Sequence, residues 1–418
     1  MATVVPDSAL DGLPGRLRSA DSVLLALAGG LGTGVFIVFA PAARAAGSWL
    51  LLALALAGLA SLCSAVSAAE LNRRLPAPRR GEALVPSAGR LGDVAFLTGR
   101  TAAAAAAGGV FATHVLPSDL LCASIPMIVI GGALTVAGVT VTARGARVLV
   151  VAVLSVLAVV VAVGLTGHAE AAEIPMEPPS GMPAPGAGQL GILTAAGLLF
   201  FAFAGFPRLD ALTERPRHRG GRTLVVAFLV LVLLYLAVGG ALLHSLGPAR
   251  LADTLAPLAV ASSTDTAPAL GALVRIAAAA ATVAAMLTVL ASVGGAASAM
   301  AGRGDLPAWL VRTNRRARPW RIDVLATLGA VLIAVLAGPV GAVGLAACCL
   351  LVHSAEVNRA ALRSCVPDRN SPMWTALLGL PLCLVLAVLL PLTQVLVSAS
   401  LLVLGVLLAY RVSRRAPG

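Results

Sequence analysis

The chain has 418 residues, of which 59% are hydrophobic and only 11% are charged, and its mean hydropathy is +0.96. A soluble protein of this size needs more polar residues to cover its surface, so the composition excludes a soluble globular protein and predicts an all-α membrane protein. All 30 basic residues are arginines, and their excess over the 18 acidic residues gives a net charge of +12. The arginines are distributed as in a protein with many membrane spans, so no nucleic acid is expected as a partner.

Residues 1–21 contain no apolar core, so we expect a cytoplasmic N-terminus rather than a cleaved signal peptide. Crossing the bilayer takes about 17 to 25 mainly apolar residues, and twelve segments of the chain meet this requirement. They are residues 22–43, 48–70, 93–116, 121–142, 147–167, 190–207, 223–245, 270–301, 323–339, 341–358, 373–390 and 392–410. We therefore predict a single transmembrane domain over residues 22–410, followed by a short tail at 411–418.

The arginines divide unequally between the two sides of this predicted topology. With the N-terminus inside, 27 of the 30 arginines fall on the cytoplasmic side, and Arg44, Arg250 and Arg275 fall outside. Cytoplasmic loops carry an excess of basic residues, and a missed span would exchange the sides of every later loop. The distribution predicts that both termini are cytoplasmic and that the protein lies in a lipid bilayer.

The first predicted span contains the sequence GGLGTG at residues 29–34, which is a poor continuous helix because glycine disfavours helix interiors. A helix broken here would present free N–H groups near residues 33–35 to a carboxylate and free carbonyl groups near residues 28–30 to an ammonium group. A zwitterionic amino acid satisfies both halves, and broken helices of this kind form substrate sites in transporters. The alternative is close helix packing, because Gly30 and Gly34 have GxxxG spacing. The glycines alone do not decide between them.

A second irregular segment, FFAFAGF at residues 200–206, lies in the sixth predicted span. We expect its carbonyl groups and small residues to complete the site. The chain has no HExxH, GxSxG or phosphate-binding motif, so we predict that it is not an enzyme and that it has no cofactor and no metal. His353 and Glu356 share a helix face near Arg359, where we expect a local ion pair.

Several stretches together resemble the amino acid–polyamine–organocation (APC) superfamily, in family order and spacing over nearly the whole chain. They are GGLGTGVFIVFAPAARAAG at 29–47, AELNRRLPAPRRGEALV at 69–85, LLFFAFAGFPRLDALTERPRH at 198–218, LADTLAPLAVAS at 251–262 and ASAMAGRGDLPAWLVRTNRRARPWRIDVLATL at 297–328. LGTGVF, TARGA at 142–146 and the compact length are most similar to the bacterial exporter branch for methionine and branched-chain amino acids. This resemblance implies that the protein lies in a bacterial inner membrane.

The resemblance implies two inverted five-helix repeats, approximately 22–167 and 190–358, with extra helices over 373–410. It also implies secondary active transport by alternating access around breaks in helices one and six, with H⁺ or Na⁺ as a possible coupling ion. Carried over by motif, the substrate-binding residues are Gly30, Gly32, Thr33, Gly34, Phe201, Ala202, Phe203, Ala204 and Gly205. The family's ion site between helices one and eight implies a coupling role for Ser292 and Ser298; the commoner alternative is that such serines bind their own helix backbone.

The chain also departs from some proton-coupled relatives, which carry a lysine in helix five. Here that helix offers only Ser155 as a polar candidate, so coupling through a lysine is excluded. The expected substrate is a small, neutral amino acid because no acid lies near the breaks. A carrier of polyamines or other organic cations and a membrane scaffold that transports nothing remain as alternatives. The sequence leaves the direction of transport open, and it predicts that Gly34→Val abolishes transport in a folded protein.

Overall fold

The structure is a computed structural model that describes residues 34–73, 89–139, 141–166, 188–203, 205, 220–262, 268–314, 318–363 and 373–415. In this part of the chain all regular secondary structure is helical. The helices are α1 (Gly34–Ile37), α2 (Phe39–Ala46), α3 (Leu50–Arg73), α4 (Arg90–Val115), α5 (Leu120–Val136), α6 (Ala143–Thr166), α7 (Gly188–Phe203), α8 (Gly220–Asp253), α9 (Pro257–Ser262), α10 (Pro268–Gly302), α11 (Trp320–Arg363), α12 (Met373–Val388) and α13 (Leu392–Arg415). Short 3₁₀ helices occupy Gly47–Trp49 and Ala308–Val311.

Within the described residues, seven helical stretches are long and apolar enough to cross a membrane. Three shorter apolar helices, α5, α7 and α12, accompany them. The all-helical membrane class is therefore confirmed, whereas the count of twelve spans and the inverted repeats stay predictions.

Helix α11 covers 44 residues, about twice the number that one crossing of the bilayer requires. Its backbone breaks at Gly338, where φ is 64°, and Pro339 follows. Glycine adopts this left-handed conformation without steric penalty, and proline cannot donate the helix hydrogen bond at the next position. The break lies beside the boundary predicted between the spans 323–339 and 341–358. The boundary predicted between the spans 373–390 and 392–410 likewise falls between α12 and α13.

The helical path of α1 and α2 bends at Val38, where the two helices meet. Pro41 explains the bend, because it has no N–H group to donate to the carbonyl four residues earlier. Hydrogen bonds from the Val38 amide to the Gly34 carbonyl and from the Ala42 amide to the Val38 carbonyl, both 3.1 Å, keep the path continuous. The chain therefore runs from Gly34 to Ala46 as one bent helical segment.

Helix α4 forms the centre of the bundle and packs against α5, α10, α11 and α13. In its most apolar stretch 78% of the residues are buried, compared with 28% in α6 and 22% in α13. Alanine and glycine dominate the buried part of α4, and such small side chains allow close approach of neighbouring helices. The apolar exposed faces of α6 and α13 are those expected to contact lipid.

Candidate functional site

The two irregular segments of the sequence lie against each other. A Cβ atom added to Gly34 in α1 would be 2.5 Å from the Cα atom of Ala202 in α7. At the opposite end of the same helices, a Cβ atom on Gly191 of α7 would overlap the carbonyl oxygen of Ala45 in α2. Since low residue numbers in one segment meet high numbers in the other, the α1–α2 segment and α7 pack side by side in antiparallel orientation.

Part of the predicted site is described. Phe201, Ala202 and Phe203 are buried in the last turn of α7, and Gly205 lies in a turn just after the helix. The helix therefore ends inside the segment predicted to be irregular. The other predicted residues, Gly30, Gly32, Thr33 and Ala204, lie outside the described residues.

The contact at Gly34 is tight. Besides the Cα atom of Ala202, its Cβ atom and amide nitrogen would lie 3.0 and 3.1 Å from an added Cβ atom. Backbone therefore packs directly on backbone here, and only glycine permits this approach. The helix-packing alternative requires such a close contact at Gly34. The same contact also places the irregular segment of the first predicted span against that of the sixth. Both hypotheses need glycine at this position.

Tyr235 of α8 contacts the end of α7 and was not predicted as a site residue. Its buried hydroxyl donates a hydrogen bond of 3.4 Å to the carbonyl oxygen of Ala202. The rings of Phe203 and Phe228 lie 5.7 Å apart, and that of Phe203 lies 5.1 Å from that of Tyr235. Carbonyl groups in the last turn of a helix lack intrahelical partners, so Tyr235 satisfies one of them from a neighbouring helix.

His114 of α4 also adjoins this region, and sequence reasoning missed it. Its imidazole ring meets the ring of Phe36 in α1 edge to face, with centroids 5.8 Å apart. Both side chains are buried, and Phe36 lies two residues after Gly34. The available signal was a histidine near the end of an apolar alanine-rich span, because ionisable residues in such spans are functional candidates.

A cavity of about 950 Å³ opens beside the far end of the α2–α7 pair. It lies between the end of α2, the start of α7 and the segment of α8 that follows the kink at Gly247–Pro248. Arg44 and Asp253 line it and form an ion pair of 3.2 Å. In the predicted topology this end of the pair faces the outside of the cell.

The two serines implied in ion coupling bond to their own helix, α10. The Ser292 hydroxyl donates to the Val289 carbonyl, and the Ser298 hydroxyl donates to the Gly294 carbonyl at 2.9 Å. This is the common behaviour of membrane serines. The hydroxyl oxygens keep lone pairs for a cation, so the coupling role stays a prediction.

The opposite end of α4 carries a group of charged residues of both signs that connects α4 with the loop after α10 and with α13. Asp93 pairs with Arg303, and Arg90 pairs with Asp305 at 2.6 Å. Arg303 also lies 3.6 Å from Asp305, and Arg90 donates to the hydroxyl of Ser413 in α13. We call Arg90, Asp93, Arg303 and Asp305 the ion network.

The expected local ion pair in α11 is present, since Arg359 donates to the Glu356 carboxylate through Nε at 2.9 Å. His353 instead bonds through Nδ1 to the Gly92 carbonyl oxygen of α4, at 2.8 Å. His353 therefore links α11 to α4, whereas the pair of Arg359 and Glu356 lies within α11.

Relatives of the chain carry names that indicate function. Proteins named uncharacterized transporters from Mycobacterium tuberculosis (strain ATCC 25618 / H37Rv) and Mycobacterium bovis (strain ATCC BAA-935 / AF2122/97) are each 35% identical to it over 416 residues. The alignment covers 97% of this chain and 92% of each relative. This chain belongs to their family of transporters. No protein-family model matches the chain. Membership and the apolar helices make this transporter a multi-pass membrane protein.

Proposed function

We propose that this transporter is a secondary active amino acid carrier of the APC superfamily, with twelve spans and alternating access around helices one and six. The observation that supports the proposal best is the antiparallel contact of the α1–α2 segment with α7. Inverted repeats relate the first helix of each half by an axis in the membrane plane, so the two helices are expected to run in opposite directions and to meet at the substrate site. The contacts at both ends of the pair agree with this expectation.

The proposed substrate is a small neutral amino acid, with methionine and branched-chain amino acids as the first candidates and export as the proposed direction. The described sequences of α1, α2 and α7 contain no acidic residue, and Phe201, Ala202 and Phe203 give the contact an apolar character. A polyamine carries several ammonium groups and requires acidic partners in a site of low polarity. The neutral substrate therefore fits these helices better.

Transport by the purified full chain in proteoliposomes tests the proposal. We expect saturable movement of labelled methionine or leucine, competition by unlabelled isoleucine and valine, and no effect of putrescine. Empty liposomes provide the background. Transport of putrescine without transport of amino acids would support the organic-cation carrier instead. The scaffold alternative predicts that no labelled solute binds to the purified, folded protein.

The predicted topology has its own test. We expect a reporter fused after Gly418 to be active in the cytoplasm, because an even number of spans returns the C-terminus to the side of the N-terminus. Alkaline phosphatase and green fluorescent protein fusions at this position report opposite sides of the membrane. A periplasmic signal would contradict twelve spans with both termini inside.

A further inference from the structure

We propose that His114 is the proton-binding residue that couples amino acid transport to a proton gradient. The inference rests on the proposed transport function and adds to it the coupling ion and the residue that carries it. It starts from the fact that His114 is only 3% exposed. A buried ionisable group in a membrane protein calls for a partner or a function.

The hydrogen bonds of the imidazole fix its tautomer. Nδ1 lies 2.9 Å from the Val110 carbonyl oxygen and 3.1 Å from the Thr113 hydroxyl oxygen. The Thr113 hydroxyl donates its own proton to the same Val110 carbonyl, so both oxygens act as acceptors towards Nδ1. Nδ1 must therefore carry the hydrogen of the neutral ring, and Nε2 must carry the lone pair.

Nε2 is buried and has no hydrogen-bond partner in the part of the chain that the structure describes. Buried polar atoms are normally satisfied, and exceptions of this kind point to a functional reason. The free lone pair is the only position on the ring that can accept a proton without breaking the contacts to Val110 and Thr113. The tautomer thus prepares Nε2 to bind and release a proton.

The charged surroundings of His114 are sparse. Arg275 of α10 is the one charged residue among the described ones with an electrostatic effect on the imidazole, and it is exposed. Helix α5 contains no charged residue, but its N-cap, Asp119, is an exposed carboxylate that accepts a hydrogen bond from the Cys122 amide. Helix α1 contributes the Phe36 ring. The charged residues of α11 and α13 occupy the ends of those helices. Among the described residues no carboxylate bonds to the imidazole, so a protonated ring would lack a counter-charge that holds the proton in place.

The contact with Phe36 provides the coupling. A proton taken from the aqueous phase on one side forms an N–H bond with the Nε2 lone pair and converts the imidazole to an imidazolium. Charge on the ring alters its interaction with the π system of Phe36, two residues from the contact between Gly34 and Ala202. Protonation therefore changes how α1 sits against α4, and release of the proton from Nε2 to the other side restores the neutral ring.

Reconstituted full chain tests this mechanism with labelled methionine and the internal pH dye pyranine. If one proton moves per substrate, a gradient of one pH unit supports accumulation of up to about tenfold. In wild-type protein we expect a gradient of the correct sign to drive accumulation and substrate to move protons. In His114→Gln we expect the gradient to have no effect, whereas exchange of labelled for unlabelled methionine at equal pH continues.

Two further variants complete the design. His244→Gln changes an exposed histidine of α8 and is expected to keep the wild-type response to the gradient. Phe36→Leu keeps an apolar side chain but removes the aromatic contact, and we expect fewer protons to move per substrate. If His114→Gln fails to fold, proton movement in Phe36→Leu and in the wild-type protein, measured with pyranine, still tests the proposed role of His114.

Three results would overturn the inference: a normal gradient response in folded His114→Gln, an unchanged proton-to-substrate ratio in folded Phe36→Leu, or wild-type transport driven by Na⁺ without proton movement. Each leaves the amino acid transporter intact as a proposal. Wild-type protein that binds and transports no amino acid would instead remove the proposed function, and this inference with it.

Discussion

Gly34→Ala is expected to abolish binding of the amino acid and to destabilise the folded protein. The new methyl group would lie 2.5 Å from the Cα atom of Ala202, and backbone cannot move aside as the end of a flexible side chain can. Overpacking of this kind costs about 1–3 kcal/mol, which exceeds the roughly 1 kcal/mol that alanine gains over glycine in a helix. Binding of labelled methionine per folded molecule and the thermal unfolding midpoint measure the two effects.

Gly240→Ala in α8 is the matched control, because an added Cβ atom there has no neighbour within 4 Å. We expect it to bind methionine as the parent does and to be equally or slightly more stable. Folded Gly34→Ala protein that binds methionine as tightly as the parent would show that the contact with Ala202 is not part of the substrate site.

The contact with Ala202 also changes the expectation for Gly34→Val. The sequence alone predicts a folded but inactive protein, because backbone groups that bind the substrate at a helix break leave no room for a side chain. In the structure even one added carbon displaces the backbone of α7, so stability is expected to fall together with activity. Glycine in a helix shows in the sequence, but the atom that it faces belongs to a segment about 170 residues away.

Local sequence rules predicted the features that depend on local chemistry. The break at Gly338–Pro339 follows from a glycine and a proline in succession, and the end of α7 inside residues 200–206 follows from small residues in an apolar run. Ser298 bonding to its own helix is likewise a local interaction. Such features are predictable because neighbours along the chain determine them.

The functional candidates that were missed depend on long-range packing. His114 matters because its Nε2 is buried and because Phe36 lies against its ring, and Tyr235 matters because it reaches the Ala202 carbonyl. Neither partner is near in sequence. A single sequence gives the residue types and the spans, but the orientation of each helix about its own axis, which brings such pairs together, comes only from tertiary structure.

Removing Arg303 from the ion network is expected to destabilise the other end of α4. Arg303 bonds to Asp93 and lies 3.6 Å from Asp305, and both acidic side chains are only 8% exposed. Taking one partner from a buried ion pair costs about 3–5 kcal/mol when the remaining charge has no other partner. Arg303 is itself 38% exposed and Asp305 keeps its pair with Arg90, so we expect a smaller loss, about 2 kcal/mol, in Arg303→Gln.

A double-mutant cycle separates this electrostatic loss from simple removal of a side chain. Arg303→Gln leaves Asp93 charged without its arginine, whereas adding Asp93→Asn replaces the charged pair by two amides that can bond to each other. We therefore expect the double variant to regain part of the thermal stability lost in Arg303→Gln, with a coupling energy of about 0.5–3 kcal/mol. Arg312→Gln, an exposed position in the same loop, is the control and is expected to be neutral. Strictly additive losses of stability would show that Arg303 and Asp93 stabilise the fold independently of each other. A positive coupling energy would establish that α4 and the loop after α10 are held together by charge.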